Sequence, residues 1–293
     1  MKELRGTGVA MITPFSQDGL VDKPALQKLT NHLIDGGVNY LVVMGTTGES
    51  VTLTKDEKQA VLNSILEVNN ARLPVVLGVG GNNTIEICSQ LNSLDIDGIS
   101  AILSVSPAYN KPTQNGIYAH YEAVSEASPL PIILYNVPGR TGSNMSAETT
   151  LRLAHDFDNI IAIKEASGSL DQCTAILKDK PEGFMVISGD DTLSLPIIAS
   201  GGDGVISVVA NALPKQYSEL INASLNGDLA KAKKRQYQLF DLINALFEEG
   251  NPAGVKAALN YLGICGADVR LPLVPASDSL ADKLQKLISE IPD

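Results

Sequence analysis

Short apolar runs of strand length alternate with longer amphipathic stretches along most of this chain, and this alternation constrains the fold more than any other feature. Apolar residues at helical spacing follow each run. Eight successive strand–helix units predict an α/β fold of the closed (β/α)8, or TIM-barrel, type. The eight runs are apolar throughout, as expected of strands buried on both faces, and cover residues 8–13, 40–44, 74–79, 99–105, 132–135, 160–164, 185–188 and 204–208.

The C-terminal part of the chain contains more helices than a barrel requires. One or two of them would complete the barrel. We therefore expect a catalytic barrel over residues 1–226 and a C-terminal helical extension over residues 227–293, packed outside it. A doubly wound sheet is the alternative, but no glycine-rich dinucleotide loop follows the first strand run. The surplus helical patterns cover residues 214–226, 228–247, 252–261 and 277–291.

Composition narrows the choice of partners and compartment. The 293 residues carry a formal net charge of −11, which argues against nucleic acid and anionic membranes as partners. The three cysteines are widely spaced and include no CxxC pair, which indicates a reducing compartment and argues against a zinc site. The opening residues MKELRGTG place charges where a secretory signal needs an apolar core, and no apolar run reaches membrane-spanning length. We expect a cytoplasmic protein.

Lys164 ends the sixth apolar run, an unusual place for a charged side chain. Strand alternation places it on the same face as Ala162 and Ile160, the face that is expected to pack in the core. Burying an ammonium there is costly unless something compensates. One interpretation is a lysine whose stem packs while its amine reaches water. The other is a desolvated amine that attacks a carbonyl carbon and forms a Schiff base.

The side chains at the other strand ends help to choose between these interpretations, because a barrel of this type has its active site there. The GTTGES segment after the second run offers hydroxyl and backbone donors for an anion. After the fifth run, Tyr135 and Arg140 are suited to proton transfer and carboxylate binding. Considered singly, Tyr109 after the fourth run would be a packing residue and Arg140 a surface salt-bridge partner. As a set, these groups favour carbonyl chemistry on a small carboxylate.

Two adjacent carboxylates, Asp190 and Asp191, follow the seventh run and raise the question of a metal. We interpret Asp190 or Asp191 as a cap of the following helix, because no histidine stands near a strand end to complete a ligand set. The sequence therefore predicts catalysis without a metal or another cofactor.

The motifs at these strand ends also identify a family. In order, the chain contains TPF, GTTGES, YNKPTQ, LYNVPGRTG, IKEASG, SGDD and GVISV. With these motifs, the whole chain resembles the dihydrodipicolinate synthase branch of the pyruvate-dependent class I aldolase and N-acetylneuraminate lyase superfamily. GTTGES and KEASG are shared widely in that superfamily, whereas YNKPTQ together with NVPGRTG is more specific to the synthase branch.

The resemblance implies a catalytic set of four residues. Lys164 matches the lysine that forms a Schiff base with pyruvate, and Tyr135 matches the general acid/base above the imine. Thr46 and Tyr109 match the remaining members of a hydroxyl relay. In such enzymes the neighbouring subunit contributes the equivalent of Tyr109, so the resemblance implies a homo-oligomer, either a dimer or a tetramer.

The resemblance also implies residues that bind the substrates. Thr47 matches the contact to the pyruvate carboxylate, and Arg140 matches the entrance residue that receives the carboxylate of the second substrate, aspartate β-semialdehyde. Gly189 and Ile206 match positions whose backbone lines the pocket.

Two features depart from the family pattern. Ala108 replaces a tyrosine that usually packs at the dimer interface. Lys55 and Lys58 stand where lysine-inhibited members line a regulatory cleft with polar and often histidine side chains, and both lysines share a face if a helix starts at Thr54. The candidate cleft residues of this chain are Ser50, Val51, Lys55, Asn82 and Glu86.

The sequence thus predicts a Schiff-base-forming synthase that condenses pyruvate with aspartate β-semialdehyde in diaminopimelate and lysine biosynthesis. Another pyruvate-dependent lyase of the superfamily, acting on N-acetylneuraminate or a keto-sugar acid, is the first alternative. A barrel that binds a keto acid without catalysis is the second.

Overall fold

The structure, a computed structural model, describes residues 2–292, and its centre is a sheet of eight short strands. All neighbouring strands are parallel, and β1 pairs with both β2 and β8, so the sheet closes into a barrel in sequence order. The strands are β1 (Gly6–Ala10), β2 (Tyr40–Val43), β3 (Val75–Gly78), β4 (Ala101–Val105), β5 (Ile132–Asn136), β6 (Ile160–Glu165), β7 (Met185–Ser188) and β8 (Gly204–Ser207).

Helices follow the strands and surround the barrel, which confirms the predicted (β/α)8 fold with its C-terminal helical extension. They are α1 (Lys23–Asp35), α2 (Lys55–Asn69), α3 (Thr84–Asn92), α4 (Gln114–Ala127), α5 (Pro138–Thr141), α6 (Ala147–Asp156), α7 (Leu170–Asp179), α8 (Ser194–Ala199), α9 (Pro214–Leu225), α10 (Leu229–Ala245), α11 (Ala253–Tyr261) and α12 (Asp278–Glu290). The start of α2 follows from its sequence, because Thr54 and Glu57 form a reciprocal capping box.

The first strand is shorter at its C-terminal end than its apolar run suggested. The backbone N–H of Met11 still donates to Val42 of the neighbouring strand. The N–H of Ile12 turns away to the side-chain oxygen of Asn211, at 3.1 Å. A side chain from beyond β8 therefore ends the pairing before Pro14 is reached.

Buried apolar side chains form two clusters, one inside the barrel and one between the sheet and its helices. Ala162 belongs to the inner cluster, as alternation from Lys164 predicts. The predicted orientation of Ile160 is wrong, because Ile160 belongs to the outer cluster and Ile161 to the inner one. The register between β5 and β6 shifts next to Ile132, so the alternation is interrupted at this point.

The C-terminal extension packs on the barrel through the same outer core. Helix α10 lies against α9 and α12, and α11 lies against α12. Buried leucines of these helices, among them Leu242, Leu259 and Leu284, belong to the cluster that also contains the barrel helices. Among residues 2–292, no helix has the length and apolar character needed to cross a membrane.

Candidate active site

Lys164 lies near the C-terminal end of β6 and is almost completely buried, with 6% of its surface exposed. In the sheet it pairs with Tyr135 of β5 and Ile187 of β7. Its Nζ atom lies 4.3 Å from the centroid of the Tyr135 ring. The amine makes no ion pair with any carboxylate of residues 2–292. The face of the tyrosine ring is therefore the electrostatic contact that the structure shows for this amine.

The Lys164 amine borders a cavity of about 540 Å³ at the C-terminal ends of the strands. This volume suits a small ligand, and the wall mixes apolar side chains with a few polar groups, as is typical of ligand sites. The lining residues are Ala10, Val42, Gly45, Thr46, Thr47, Leu103, Tyr135, Val137, Gly139, Arg140, Lys164, Ala166, Gly189, Asp190, Asp191, Thr192, Val208, Ile243, Asn244, Phe247 and Asn251.

A tight turn after β2 brings Thr46 and Thr47 to the cavity. The turn begins at Met44, whose φ of 63° is rare for a residue other than glycine. Gly78 on the neighbouring strand makes room for this backbone, because a Cβ there would lie 2.4 Å from the Met44 carbonyl oxygen. Thr47 is buried, and its Oγ1 accepts a hydrogen bond of 2.9 Å from Asn251 Nδ2. Thr46 is exposed at the cavity wall.

A buried ion pair, which the sequence analysis did not predict, holds Glu49 at the end of the same turn. Lys256 of α11 is completely buried, and its Nζ lies 2.6 Å from Glu49 Oε1 and 2.8 Å from the Asp268 carbonyl oxygen. The amine also lies 4.1 Å from the ring centroid of Phe15. Burial lowers the pKa of Lys256, and the Glu49 carboxylate opposes that shift. The second Glu49 oxygen accepts from the Arg270 backbone N–H at 2.9 Å.

Arg140 lies on the four-residue helix α5 that follows β5, and its side chain is exposed at the cavity wall. The surface salt bridge considered from the sequence is not present, because Arg140 pairs with no carboxylate in the described part of the chain. The guanidinium is therefore available to an anionic ligand in the cavity.

The loop after Lys164 is fixed by a second buried carboxylate, Glu165, whose role the sequence also left unrecognised. Its oxygens accept hydrogen bonds from Asn136 Nδ2 at 3.1 and 3.0 Å. They also accept from the Ser167 backbone N–H at 2.7 Å and from Gln172 Nε2 at 2.8 Å. These bonds connect the end of β6 to β5 and to α7, so the backbone next to Lys164 is held in place by both elements.

Gly189 lies directly beside the lysine stem. A Cβ at this position would lie 3.1 Å from Lys164 Cε and 2.6 Å from the Ala166 Cβ. A larger residue here would push against the stem or the loop that follows it. Ile206, whose backbone was expected to line the pocket, lies in the inner cluster of the barrel and is not among the cavity-lining residues, whereas Val208 is.

Asp190 and Asp191 both line the cavity, but their carboxylates accept hydrogen bonds from backbone N–H groups. One Asp190 oxygen accepts from the N–H groups of Thr192 and Leu193 at 2.9 and 3.3 Å, so Asp190 stabilises the turn before α8. The predicted helix cap is wrong, because the N-cap residue of α8 is Leu193 and no side chain caps this helix. Asp191 instead accepts from the N–H groups of Val208 and Val209 after β8. Its burial raises the pKa of its carboxyl group. Among residues 2–292, no group of three or more histidine, cysteine or acidic side chains is arranged to hold a metal ion.

Tyr109 is the one member of the expected catalytic set that does not reach the cavity. It is 91% exposed and is absent from the cavity wall, while Lys164, Tyr135 and Thr46 all line it. A single copy of the chain therefore brings three of the four residues of the expected catalytic set to the cavity.

A second cavity of about 390 Å³ lies next to the first, and Thr46 and Tyr135 contribute to both. Three of the candidate cleft residues, Ser50, Val51 and Lys55, line it together with Lys58. The two lysines share a face of α2 as expected. The other two candidates, Asn82 and Glu86, lie outside this wall.

Comparison with known proteins gives a consistent assignment. The model of the dihydrodipicolinate synthetase (DHDPS) family matches residues 3–291. A 4-hydroxy-tetrahydrodipicolinate synthase of Flavobacterium psychrophilum is 50% identical over 291 residues, which are 99% of each protein.

Solved structures agree with this match. The dihydrodipicolinate synthase from Acinetobacter baumannii complexed with pyruvate is 40% identical, with a TM-score of 0.95 over 98% of this chain and 99% of that one. The DHDPS from Cyanidioschyzon merolae with lysine bound is 37% identical, with a TM-score of 0.94 over 99% of this chain and 98% of that one. The chain, with its buried lysine at the mouth of an eight-stranded barrel, belongs to the dihydrodipicolinate synthetase family.

Proposed function

We infer that this chain condenses pyruvate with aspartate β-semialdehyde to form 4-hydroxy-tetrahydrodipicolinate, a step of diaminopimelate and lysine biosynthesis in the cytoplasm. The observation that carries this inference is the buried Lys164 amine, which faces a cavity of substrate size and rests on the ring of a tyrosine. Relatives about half identical to this chain over nearly its full length are named 4-hydroxy-tetrahydrodipicolinate synthase.

The reaction begins when the Lys164 amine attacks the pyruvate carbonyl carbon and water leaves, giving a protonated imine. The Tyr135 ring beneath Nζ stabilises this cation. Loss of a proton from the pyruvate methyl group gives an enamine, whose carbon attacks the aldehyde. The amino group of the second substrate then adds to the imine carbon and expels Lys164, which closes the ring and frees the enzyme. One water is released overall.

The cavity wall supplies the contacts that orient the two substrates. Thr47, held by Asn251, binds the carboxylate of pyruvate, and the bare backbone at Gly189 lets the substrate approach the lysine. The family resemblance implies a further contact from the Ile206 backbone, although Ile206 is not among the residues that line the cavity. Arg140 is exposed at the cavity wall, pairs with no carboxylate of residues 2–292, and binds the carboxylate of the semialdehyde.

The proton relay needs a second copy of the chain. Tyr109 projects into solvent, and the second cavity opens beside Thr46 and Tyr135, its expected partners. We therefore propose a homo-oligomer, a dimer or a homotetramer of two such dimers, in which the Tyr109 phenol of one copy enters the second cavity of its neighbour. Val51 and Ile85, which are 94% and 82% exposed, would be covered by such an interface.

An acceptor panel tests the function directly. Purified protein is supplied with pyruvate and, in separate assays, aspartate β-semialdehyde, N-acetylmannosamine and keto-sugar-acid aldehydes. We expect turnover with the semialdehyde above all others. Preference for N-acetylmannosamine or a sugar aldehyde would assign another lyase activity. Failure to turn over any acceptor while still binding pyruvate would identify a non-catalytic keto-acid-binding barrel.

Arg140→Ala is expected to impair the use of aspartate β-semialdehyde while leaving the reaction with pyruvate nearly unchanged. Loss of a charge-assisted hydrogen bond is worth about 1.5–3 kcal/mol, so kcat/KM for aspartate β-semialdehyde should fall by about 10- to 150-fold. Formation of the pyruvate imine should change little, because Lys164 and Thr47 are untouched. The measurement is steady-state kinetics beside borohydride trapping of pyruvate. The control is Arg5→Ala, which removes an exposed arginine just before the N-terminal end of β1, away from the cavity at the C-terminal ends of the strands. Equal loss of both steps would assign Arg140 a structural role.

Free lysine is expected to inhibit this enzyme weakly or not at all. Lys55 and Lys58 line the second cavity, so a ligand with its own ammonium meets two positive charges there. An effector acts only through a difference in affinity between two states, so weak binding gives weak coupling. A lysine titration in the steady-state assay is the measurement. Inhibition in the sub-millimolar range would refute this prediction. The Lys55→Ala/Lys58→Ala variant tests whether the charges are the cause, because sensitivity should rise when they are removed.

A further inference from the structure

Tyr109 holds a backbone conformation that its own residue type disfavours. Its φ is 66°, and the backbone N–H of Asn110 donates to the Ala108 carbonyl oxygen at 2.8 Å. A positive φ with a hydrogen bond between residues two apart defines the strained form of the γ-turn, which is rare in proteins. Lys111 follows with a φ of 48°. Two strained non-glycine residues so close together persist only where surrounding contacts impose the conformation.

One of those contacts comes from the side chain of Asn82, in the loop between β3 and α3. Its Oδ1 accepts from the Ala108 backbone N–H at 2.8 Å, and its Nδ2 donates to the Ala108 carbonyl oxygen at 2.6 Å. The amide thus pairs with both polar groups of the residue directly before Tyr109, as a neighbouring strand would. The second contact is backbone only, from the Tyr109 N–H to the Thr141 carbonyl oxygen at 3.0 Å.

We propose that Asn82 is a positioning residue for the reaction, because its amide holds the Ala108 peptide groups so that the Tyr109 phenol projects away from its own subunit. This role rests on the proposed function, in which Tyr109 completes the relay of a neighbouring copy. Asn82 is itself exposed, and its bonds add little to the core of its own subunit. What they determine is the direction of one side chain that is 91% exposed.

The proposal predicts a specific kinetic defect for Asn82→Ala. We expect kcat to fall about ten-fold, less than the ~10²-fold or greater loss on removal of a positioned acid/base group, because the phenol is displaced but present. KM for pyruvate and the melting temperature should stay near the parent values. Asn82→Asp should behave like Asn82→Ala, because a carboxylate cannot donate to the Ala108 carbonyl oxygen. Asn92→Ala, an exposed asparagine of α3 that does not touch this loop, should match the parent.

A double-mutant cycle tests whether Asn82 acts through Tyr109. Tyr109→Phe removes the phenol, so adding Asn82→Ala to that variant should cause no further loss of kcat. Parent-like kcat in Asn82→Ala, or the same fold loss in both backgrounds, would overturn the positioning role. Parent-like kcat in Tyr109→Phe alone would show that the proposed relay is wrong, and the positioning role would fall with it. The Tyr109→Phe variant therefore distinguishes failure of the positioning role of Asn82 from failure of the proposed relay.

Discussion

Lys164→Ala is expected to lose turnover by at least about 10⁴-fold in kcat, the scale of loss when a covalent nucleophile is removed. The substitution removes the amine that borders the cavity beside Tyr135. Without it no imine forms and no enamine carbon is generated. Lys164→Arg should be equally inactive, although it keeps the positive charge, because a guanidinium does not form the imine. The measurement is kcat for aspartate β-semialdehyde and pyruvate.

Borohydride trapping provides the matching chemical result. Parent protein incubated with pyruvate and borohydride should carry one reduced adduct, located at Lys164 by peptide mass spectrometry, and should be inactive. The Lys164→Ala variant should carry none. Lys215→Ala, which removes an exposed lysine at the start of α9, should retain full activity and full labelling. An adduct at a different lysine, or substantial activity in Lys164→Ala, would refute the mechanism.

Lys256→Met is expected to cause the largest loss of stability among the changes considered. The substitution keeps the length of the side chain but leaves the Glu49 carboxylate buried without its cation. Removing one partner of a buried ion pair typically costs about 3–5 kcal/mol. The melting temperature should therefore fall by roughly 5–15 °C. The thermal unfolding curve and the denaturant midpoint both measure this effect.

Two companion variants separate the charge effect from packing. Lys256→Met/Glu49→Gln leaves no buried charge, so it should be more stable than Lys256→Met alone. Lys283→Met breaks the Lys283–Glu248 pair, whose side chains are 48% and 45% exposed, and exposed pairs are worth no more than about 1 kcal/mol. If Lys256→Met were no less stable than Lys283→Met, the buried pair would not be what holds the turn after β2.

A loss of activity should accompany the loss of stability in Lys256→Met. Glu49 adopts a left-handed backbone conformation, with a φ of 51°, directly after the turn that carries Thr46 and Thr47. When its carboxylate loses Lys256, the turn loses the contact that fixes its end. We expect KM for pyruvate to rise at temperatures where the variant is still folded, because Thr47 is the proposed carboxylate contact.

The sequence by itself determined the barrel and predicted most of the strand-end residues that line its candidate active site. The apolar strand runs and the helical spacings between them are local patterns, so eight strand–helix units could be counted without knowing their contacts. A parallel barrel brings the C-terminal ends of all strands to one mouth. That rule places Lys164, Tyr135 and Arg140 around the same cavity, and the family resemblance adds Thr47 and Gly189. The structure has all five in the cavity wall.

Tertiary structure alone decided how those residues are held. Glu49 and Lys256 are 207 positions apart, and Thr47 and Asn251 are 204 apart. The spacing of apolar residues within one helix or strand cannot predict such pairs, because they depend on how α11 and the loop before it pack against the barrel. The extension predicted to pack outside the barrel therefore also supplies part of the cavity wall, including Asn251 and Phe247.

Local interruptions of the backbone were likewise beyond the sequence patterns. The register shift beside Ile132 reverses the face of Ile160, because one displaced residue exchanges the two faces of a strand. Tyr109 lies near a strand end, yet its positive φ turns the phenol into solvent. Its direction depends on the Asn82 amide, 26 positions from Ala108, and on the Thr141 carbonyl oxygen. Residue type thus indicated which groups are candidates for the chemistry, whereas long-range hydrogen bonds determined the positions of Thr47 and Tyr109.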